Sequence, residues 1–323
     1  GTVLQAGLGV SEVVADIDFE TYSEAGFVWH EPSRKWQSLP DASQGKKGLP
    51  VVGAAVYSEH PTCDVLVFRY NLKDGRGSQH WRPGLPPPVA LFEHIALGGL
   101  VEAWNVGFEQ WIWENVCTPR YGWPVVPEVT WRCAMAKARA HCLPGGLDPA
   151  GNVLALQVKK DKAGKALLDR FSMPRNPTKA DPRERAPTLW TPEDCAREVA
   201  LILPFATTKA AQRDAHLIIA DDYERTQALD KYCAIDIQTE AEASAAIPDL
   251  SPFELRTWQD DRRINRRGVR IDMAGVHDCI AVIKQAQHRY GGELRALAGC
   301  APSEVAQLTR WLADQGLYMQ SLD

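Results

Sequence analysis

The chain contains 323 residues, 45% hydrophobic and 24% charged, a balance that is ordinary for a folded globular protein. The formal net charge of −5 disfavours uniform binding to a polyanion, and no apolar run reaches the ~20 residues of a transmembrane helix, so no membrane contact is expected. The eight cysteines include no CxxC pair and no zinc-type spacing, and the first residues lack the features of a signal peptide. We therefore expect reduced thiols and a cytoplasmic location.

The first part of the chain predicts strands followed by helices. Four segments are rich in β-branched and aromatic residues and are bounded by Pro, Gly, Asp or Asn, which is typical of strands. These strands are predicted at 13–20, 50–58, 63–71 and 100–105. Helices are predicted at 87–99 and from 108 onward, and the polar segment 30–50 is predicted to be a loop. This order predicts an α/β fold with a mixed sheet flanked by helices.

Residues 128–245 have a mainly helical pattern, interrupted by a proline-rich basic segment at 159–185. That segment carries nine Lys or Arg against four Asp or Glu. Such a segment suits either a solvated surface loop or a surface that contacts phosphates. Thr191 followed by Pro192 predicts the start of a helix, with Thr191 as its N-cap.

A linker at 247–252 precedes a segment with helical patterns only. Apolar residues recur there at steps of three and four, which predicts a long helix. The stripe comprises Val276, Ile280, Ile283, Tyr290, Leu294 and Leu297. A further helix is predicted between Ser303 and Gly316. We expect two domains, 1–246 and a short all-helical segment at 253–323 that ends abruptly.

Three acidic residues alternate along the first predicted strand. Asp16, Asp18 and Glu20 leave the same face of that strand, where their charges repel one another. Such a segment is a poor strand unless something compensates the charge.

Two further carboxylates occur at a spacing of four from a polar residue. Glu109 follows Asn105 at a predicted strand-to-helix junction, and Asp236 follows Tyr232 on one face of a predicted helix. Taken singly, each also fits an ordinary structural acid, since a first-turn acid interacts well with the helix dipole.

The order of these motifs, D-x-E-T, N-x-x-F-[DE] and Y-x-x-x-D, resembles the DEDD family of 3′–5′ exonucleases in its tyrosine branch. The resemblance implies a ribonuclease H-like fold and a set of four metal ligands: Asp18, Glu20, Glu109 and Asp236. It also implies that Tyr232 orients the attacking water. Glu109 stands where that family most often has Asp, and its longer side chain can still reach a metal.

The chemistry of phosphodiester hydrolysis explains such a cluster. Two divalent ions about 3.5–4 Å apart activate a water molecule and stabilise the leaving oxygen. Hard cations such as Mg²⁺ or Mn²⁺ prefer oxygen ligands, so carboxylates suit the site better than His or Cys. The resemblance thus implies two Mg²⁺ or Mn²⁺ ions as cofactors. Without metal, the carboxylates are expected to raise one another's pKa.

Other residues near these motifs are expected to contact substrate or to lie outside the centre. The resemblance implies substrate contacts from Thr21, Asn105 and Phe108, although aromatic residues beside such motifs are more often part of the core. Asp16 lies one step outside the D-x-E-T register. We expect it near the rim or at the end of the sheet, with a much smaller effect on activity than Asp18.

Longer segments resemble phage-type family A DNA polymerases. The similar segments of the exonuclease region are "LPGGLD" (143–148), "KDKAGKALLDRFSMPRNPTK" (160–179) and "W-TPED" (190–194). In that setting the basic segment contacts the phosphates of a single strand, and the implied contacts are Lys162, Lys165, Arg175 and Lys179. "LRTWQDDRRINRRGVRID" (255–272) resembles the start of the polymerase domain, at the base of its thumb.

The resemblance implies a proofreading exonuclease that removes nucleoside 5′-monophosphates from single-stranded or frayed DNA 3′ ends. The remainder of the polymerase would be its partner in the full-length protein. The palm motifs of such polymerases are absent from this sequence, so the chain is not expected to polymerise DNA. Two alternatives remain open: a stand-alone exonuclease that acts on RNA, and a catalytically silent nucleic-acid-binding domain.

Overall fold

The computed structural model describes residues 13–39, 46–157 and 164–319. The chain divides into two compact units, residues 1–262 and 263–323. The described part of the first unit mixes helices and strands, and that of the second is helical. No helix in the described ranges is both long and apolar enough to cross a bilayer.

A five-stranded mixed sheet forms the centre of the first unit, in the order β5-β4-β1-β6-β7, and β2 and β3 pair separately as a hairpin. The strands are β1 (Val14–Tyr22), β2 (Phe27–His30), β3 (Lys35–Ser38), β4 (Asp64–Asn71), β5 (Gln79–Trp81), β6 (Leu100–Ala103) and β7 (Trp131–Cys133). The central strand β1 runs antiparallel to β4 and parallel to β6.

Helices flank this sheet. Those of the first unit are α1 (Leu49–Glu59), α2 (Val89–Ala96), α3 (Val106–Ile112), α4 (Thr118–Tyr121), α5 (Ala134–Ala140), α6 (Leu147–Val153), α7 (Gly164–Phe171), α8 (Pro192–Ile202) and α9 (Lys209–Ala246). The next helix, α10 (Pro252–Arg267), contains the division between the units, and α11 (Met273–Ala298) and α12 (Val305–Asp314) belong to the second.

The two faces of β1 meet different surroundings because its side chains alternate. On one face Phe19 packs against Phe68, with ring centroids 4.4 Å apart, inside an aromatic core that includes Trp113 and Trp123. On the other face α9 packs on β1 and β4. The alternation therefore places the acidic face of β1 against α9.

Most of the predicted elements are confirmed. Strands form at three of the four predicted positions, and helices form at 89–96, from 106 onward and after Thr191. Thr191 caps α8 in a capping box, accepting from the Asp194 N–H while the Asp194 carboxylate accepts from the Thr191 N–H. These signals are local, so they do not depend on the rest of the fold.

The prediction of a strand at 50–58 is wrong, since this segment lies in α1. Pro50 stands in the first turn of the helix, and Gly53 kinks it with φ of +78°. Composition alone does not distinguish a short apolar strand from a buried helix. In the folded chain this segment is helical and packs against α3.

The predicted loop at 30–50 is also partly wrong because it contains β3. Trp29 and Trp36 face each other across the β2–β3 hairpin, with ring centroids 5.6 Å apart. Strands β5 and β7 were not predicted, since three residues are too few to show alternation.

The second unit contains the two predicted helices, α11 and α12. The chain turns at Gly316 with a positive φ, as expected for a residue that ends a helix. The apolar stripe of α11 is mostly exposed, from 38% at Val276 to 69% at Leu297.

Candidate metal centre

Strand β1 supplies the first two acidic side chains. Asp18 is half-buried and Glu20 is 8% exposed. Asp18 Oδ2 accepts a hydrogen bond from the Cys233 thiol on α9 at 3.2 Å, which shows that this face of β1 meets α9. One potential ligand atom from each of Asp18, Glu20 and Cys233 lies within 4.8 Å of the others.

A β-bulge lies beside these residues. The register between β1 and β4 shifts between Glu20 and Thr21. A bulge breaks the regular alternation and re-aims the side chains next to it. The end of the D-x-E-T motif therefore coincides with a local irregularity of the sheet.

Helix α9 brings the third motif to the same face. Tyr232 and Asp236 are one turn apart and are 2% and 5% exposed. The helix is held on the sheet by Arg69, which lies opposite Asp18 on β4 and donates two hydrogen bonds to Asp230, at 2.6 and 3.1 Å. Cys233, which lies between Tyr232 and Asp236 in the sequence, contacts Asp18, so this part of α9 lies against the acidic face of β1.

Helix α3 supplies Glu109, directly after β6. Its carboxylate is 6% exposed, and its Oε2 has no hydrogen-bond partner among the described residues. Burial raises the pKa of Glu109 well above its usual value, and the nearby Asp18 carboxylate raises it further. Glu109 therefore shares the electrostatic environment of Asp18, as the sequence predicted for a cluster without metal.

A fifth carboxylate, Glu240, was missed by the sequence interpretation. It lies one turn beyond Asp236 on α9 and is 8% exposed. Burial raises its pKa well above the usual value, and Asp18, Glu109 and Asp236 add to this shift. The spacing of four from Asp236 was a usable signal, because such residues share one helix face.

Tyr232 packs against the first residue of α7. A Cβ added to Gly164 would overlap the ring of Tyr232. The absence of a side chain at Gly164 therefore allows the backbone of α7 to lie directly on the tyrosine ring. This contact links the start of α7 to the position of Tyr232.

Three predicted substrate-binding residues lie around the bulge and the start of α3. The Thr21 hydroxyl is buried, 3.1 Å from the Tyr57 hydroxyl. Phe108 is half-buried, with its ring centroid 6.0 Å from that of Tyr57, and Asn105 is exposed at the N-cap of α3. Phe108 and Asn105 therefore have exposed surface that can contact a ligand. The buried Thr21 hydroxyl instead lies within hydrogen-bonding distance of Tyr57.

The predicted phosphate contacts divide into three cases. Lys162 and the side chain of Lys165 lie outside the described residues. Lys179 is exposed. Arg175 pairs with Asp181 and donates from Nε to the Arg183 carbonyl at 3.1 Å.

This pairing has a clear electrostatic effect on Asp181. Burial disfavours the charged form, but hydrogen bonds from Arg183 and Arg175 outweigh it and lower the pKa of Asp181 to about 2. Arg175 thus contributes to the internal structure of the basic segment.

Asp16 lies toward one end of the sheet, one of its two expected positions, since it pairs with Asn71 at the end of β4, but it is buried and does not lie at an exposed rim. It is 2% exposed and forms an ion pair of 2.9 Å with Lys73. Burial raises its pKa to about 6 despite the opposing charge of Lys73. Its direct neighbour on β6 is Glu102, so Asp16 belongs to a different polar group from that around Asp18.

The donor set fits hard divalent cations. Asp18, Glu20, Glu109 and Asp236 offer carboxylate oxygens, and the buried Oε2 of Glu109 has no protein donor among the described residues. A buried carboxylate without a partner is costly, and a cation would compensate it. Burial, followed by the charges of Asp18 and Glu20, raises the pKa of Cys233 well above its usual value, which favours the protonated thiol.

Comparison with known proteins gives one informative relative. The chain is 30% identical over 287 residues to a DNA polymerase of Bacillus phage SP02. The match covers 84% of this chain but only 37% of the relative's length. No family model and no solved structure matches the chain. Over the matched length, this chain is related to part of a phage DNA polymerase.

Proposed function

We propose that the protein is a metal-dependent 3′–5′ exonuclease, the proofreading part of a family A-type DNA polymerase. One observation carries this proposal: the three sequence motifs converge on a buried acidic centre between β1, α3 and α9. The relation to a phage DNA polymerase supports it, since it points to a protein that processes nucleic acid. In this proposal the sheet is ribonuclease H-like, residues 1–246 form the exonuclease, and residues 253–323 begin the polymerase domain.

The site residues have distinct roles in the proposed reaction. When bound, Mg²⁺ or Mn²⁺ ions activate water and stabilise charge on the leaving oxygen. Asp18, Glu20 and Asp236 would hold the ions through their carboxylates, and Glu109 would act on them largely through water. Tyr232 orients the attacking water, and its burial by α7 keeps the ring in place.

The substrate in this proposal is a single-stranded or frayed DNA 3′ end. Asn105 and Phe108 lie beside Glu109 at the start of α3, where an amide and an aromatic ring suit a terminal nucleotide. Lys162, Lys165 and Lys179 provide positive charge for phosphates along the strand. The remainder of the polymerase is the partner in a full-length protein, which acts in the cytoplasm of a bacterial or phage-infected cell.

The test is hydrolysis of a 5′-labelled single-stranded DNA oligomer by the chain, with Mg²⁺, with Mn²⁺ and with a chelator. We expect stepwise shortening from the 3′ end, release of nucleoside 5′-monophosphates, and no activity with the chelator. The Asp18→Ala variant should be inactive under all conditions.

An RNA oligomer of the same sequence provides the matched substrate. Preferential hydrolysis of RNA would overturn the DNA assignment and favour a stand-alone ribonuclease. Absence of metal-dependent hydrolysis of either strand would overturn the enzymatic proposal and favour a silent binding domain.

A further inference from the structure

Glu240 has the properties of a site residue although no motif includes it. The residue is more than nine-tenths buried, and the backbone N–H of Trp104, directly after β6, favours the charged form of its carboxylate. Its Oε2 has no hydrogen-bond partner among the described residues. The side chain therefore has one buried oxygen that no donor in the described part of the chain reaches.

The surroundings of Glu240 show where that oxygen lies. The charges that most affect Glu240 are those of Asp18, Glu109 and Asp236, which come from β1, α3 and α9. Glu240 thus lies near three of the four predicted ligands. Glu109 Oε2 is a second buried oxygen without a partner among the described residues, and the charge of Glu109 acts on Glu240, so these two side chains lie near each other.

A purely structural role does not explain this placement. The neighbouring buried positions one turn along α9 are Ala243 and Ser244, which are small and cause no charge repulsion. A buried carboxylate among other carboxylates costs several kcal/mol unless a cation or hydrogen bonds compensate it. The Trp104 N–H compensates only part of this cost.

We propose that Glu240 is a fifth carboxylate of the metal centre and binds a divalent ion through Oε2. This inference rests on the proposed function, because it extends the same metal site. Adding a carboxylate strengthens the attraction of a site for hard cations. Glu240 therefore increases the affinity for Mg²⁺ or Mn²⁺ on the side of the centre formed by Glu109 and Asp236.

The test is direct measurement of Mn²⁺ binding by electron paramagnetic resonance and calorimetry on the whole chain. Glu240→Gln keeps the size of the side chain and removes its charge. We expect at least about tenfold weaker binding of one ion, in line with the effect of losing a contact at a metal site. Glu242→Gln is the matched control, since Glu242 lies on the same helix and accepts from Gln238. It should bind Mn²⁺ as the wild type does.

Wild-type affinity in a folded Glu240→Gln protein would overturn the inference. If that variant does not fold by circular dichroism, Glu240→Asp decides instead: the shorter arm should weaken binding about fivefold or more, and unchanged affinity overturns the inference. Mn²⁺ binding that depends on Glu240 without any DNA hydrolysis would overturn the proposed function alone. No Mn²⁺ binding by the wild type would overturn both.

Discussion

The contact between β1 and α9 has two polar ends with opposite arrangements of charge. At one end Asp16 pairs with Lys73, and Lys137 donates to Ser244 at 2.7 Å while lying 3.6 Å from Glu102. At the other end the strongest charges acting on Glu109 and Glu240 are carboxylates. Two kinds of polar group therefore occur along this contact. In one, carboxylates lie beside lysines, and in the other, carboxylates lie beside one another.

The charge nearest to a carboxylate distinguishes an acid that stabilises the fold from an acid that can bind a cation from solution. The Asp16 carboxylate has a lysine partner at Oδ1, although its buried Oδ2 has no hydrogen-bond partner among the described residues. Carboxylates that raise one another's pKa are stable together only when protonated or when a cation binds. Residue type alone does not distinguish the two ends, since Asp16 and Asp18 are neighbours on the same face of one strand.

The strongest test of this comparison is the loss of activity in two matched variants. We expect Asp18→Ala to lower the rate of exonuclease hydrolysis by on the order of 10³-fold or more, because losing a metal ligand removes several kcal/mol of transition-state stabilisation. Asp16→Asn should change that rate by less than about tenfold. Initial rates on a labelled DNA oligomer measure both effects. Equal losses in the two variants would remove the distinction between the two ends.

The pH dependence of stability tests the lysine-paired end. The pKa of Asp16 is raised from 3.8 to about 6 in the folded state. The folded state therefore binds the proton more tightly, and the stabilisation present below pH ~4 is lost as the pH rises through about 6. Asp16→Asn should be more stable than the wild type above pH 7, by about 3 kcal/mol at most, and similar to it near pH 4.

Urea unfolding at these two pH values measures that difference. A variant that is less stable than the wild type at pH 7.5 would show that the Lys73 ion pair outweighs the cost of burying Asp16.

Metal addition and removal test the acidic end through stability. A ligand that binds only the folded state at 100 times its Kd stabilises it by about 2.7 kcal/mol. We expect Mn²⁺ to shift the urea midpoint upward and a chelator to reverse the shift. Asp16→Asn should retain this shift, whereas Asp18→Ala should lose most of it. An equal shift in Asp18→Ala would place the bound ion elsewhere.

The smallest expected effect on the hydrolysis rate comes from changing the contact between Gly164 and Tyr232. Gly164→Ala should displace the Tyr232 ring or α7 and lower the hydrolysis rate about tenfold, since small misplacements at a reacting centre are costly. In a Tyr232→Phe background the same change should cost much less, because both act through one side chain. Gly292→Ala is the control, as its added Cβ meets open space. Additive losses would indicate that Gly164 acts independently of Tyr232.

Much of the fold and of the candidate site could be predicted because the signals are local. The capping residues around Thr191 specify the start of α8 without help from the rest of the chain. The order of the three motifs identified the residues that meet between β1, α3 and α9. The segment at 50–58 could not be assigned in this way, since its β-branched residues fit both a strand and the kinked helix α1.

The α/β class and the helical character of the second unit could be predicted from the sequence, because periodicity encodes them directly, whereas the acidic set was predicted from the resemblance of the motifs to a known family. Three-dimensional packing was needed to show which carboxylates act on one another. It separated Asp16 from Asp18, added Glu240 to the acidic group and showed the contact of Gly164 with Tyr232. These outcomes depend on charges and packing between residues far apart in the chain, where burial and the sign of the nearest charge determine the role of each carboxylate.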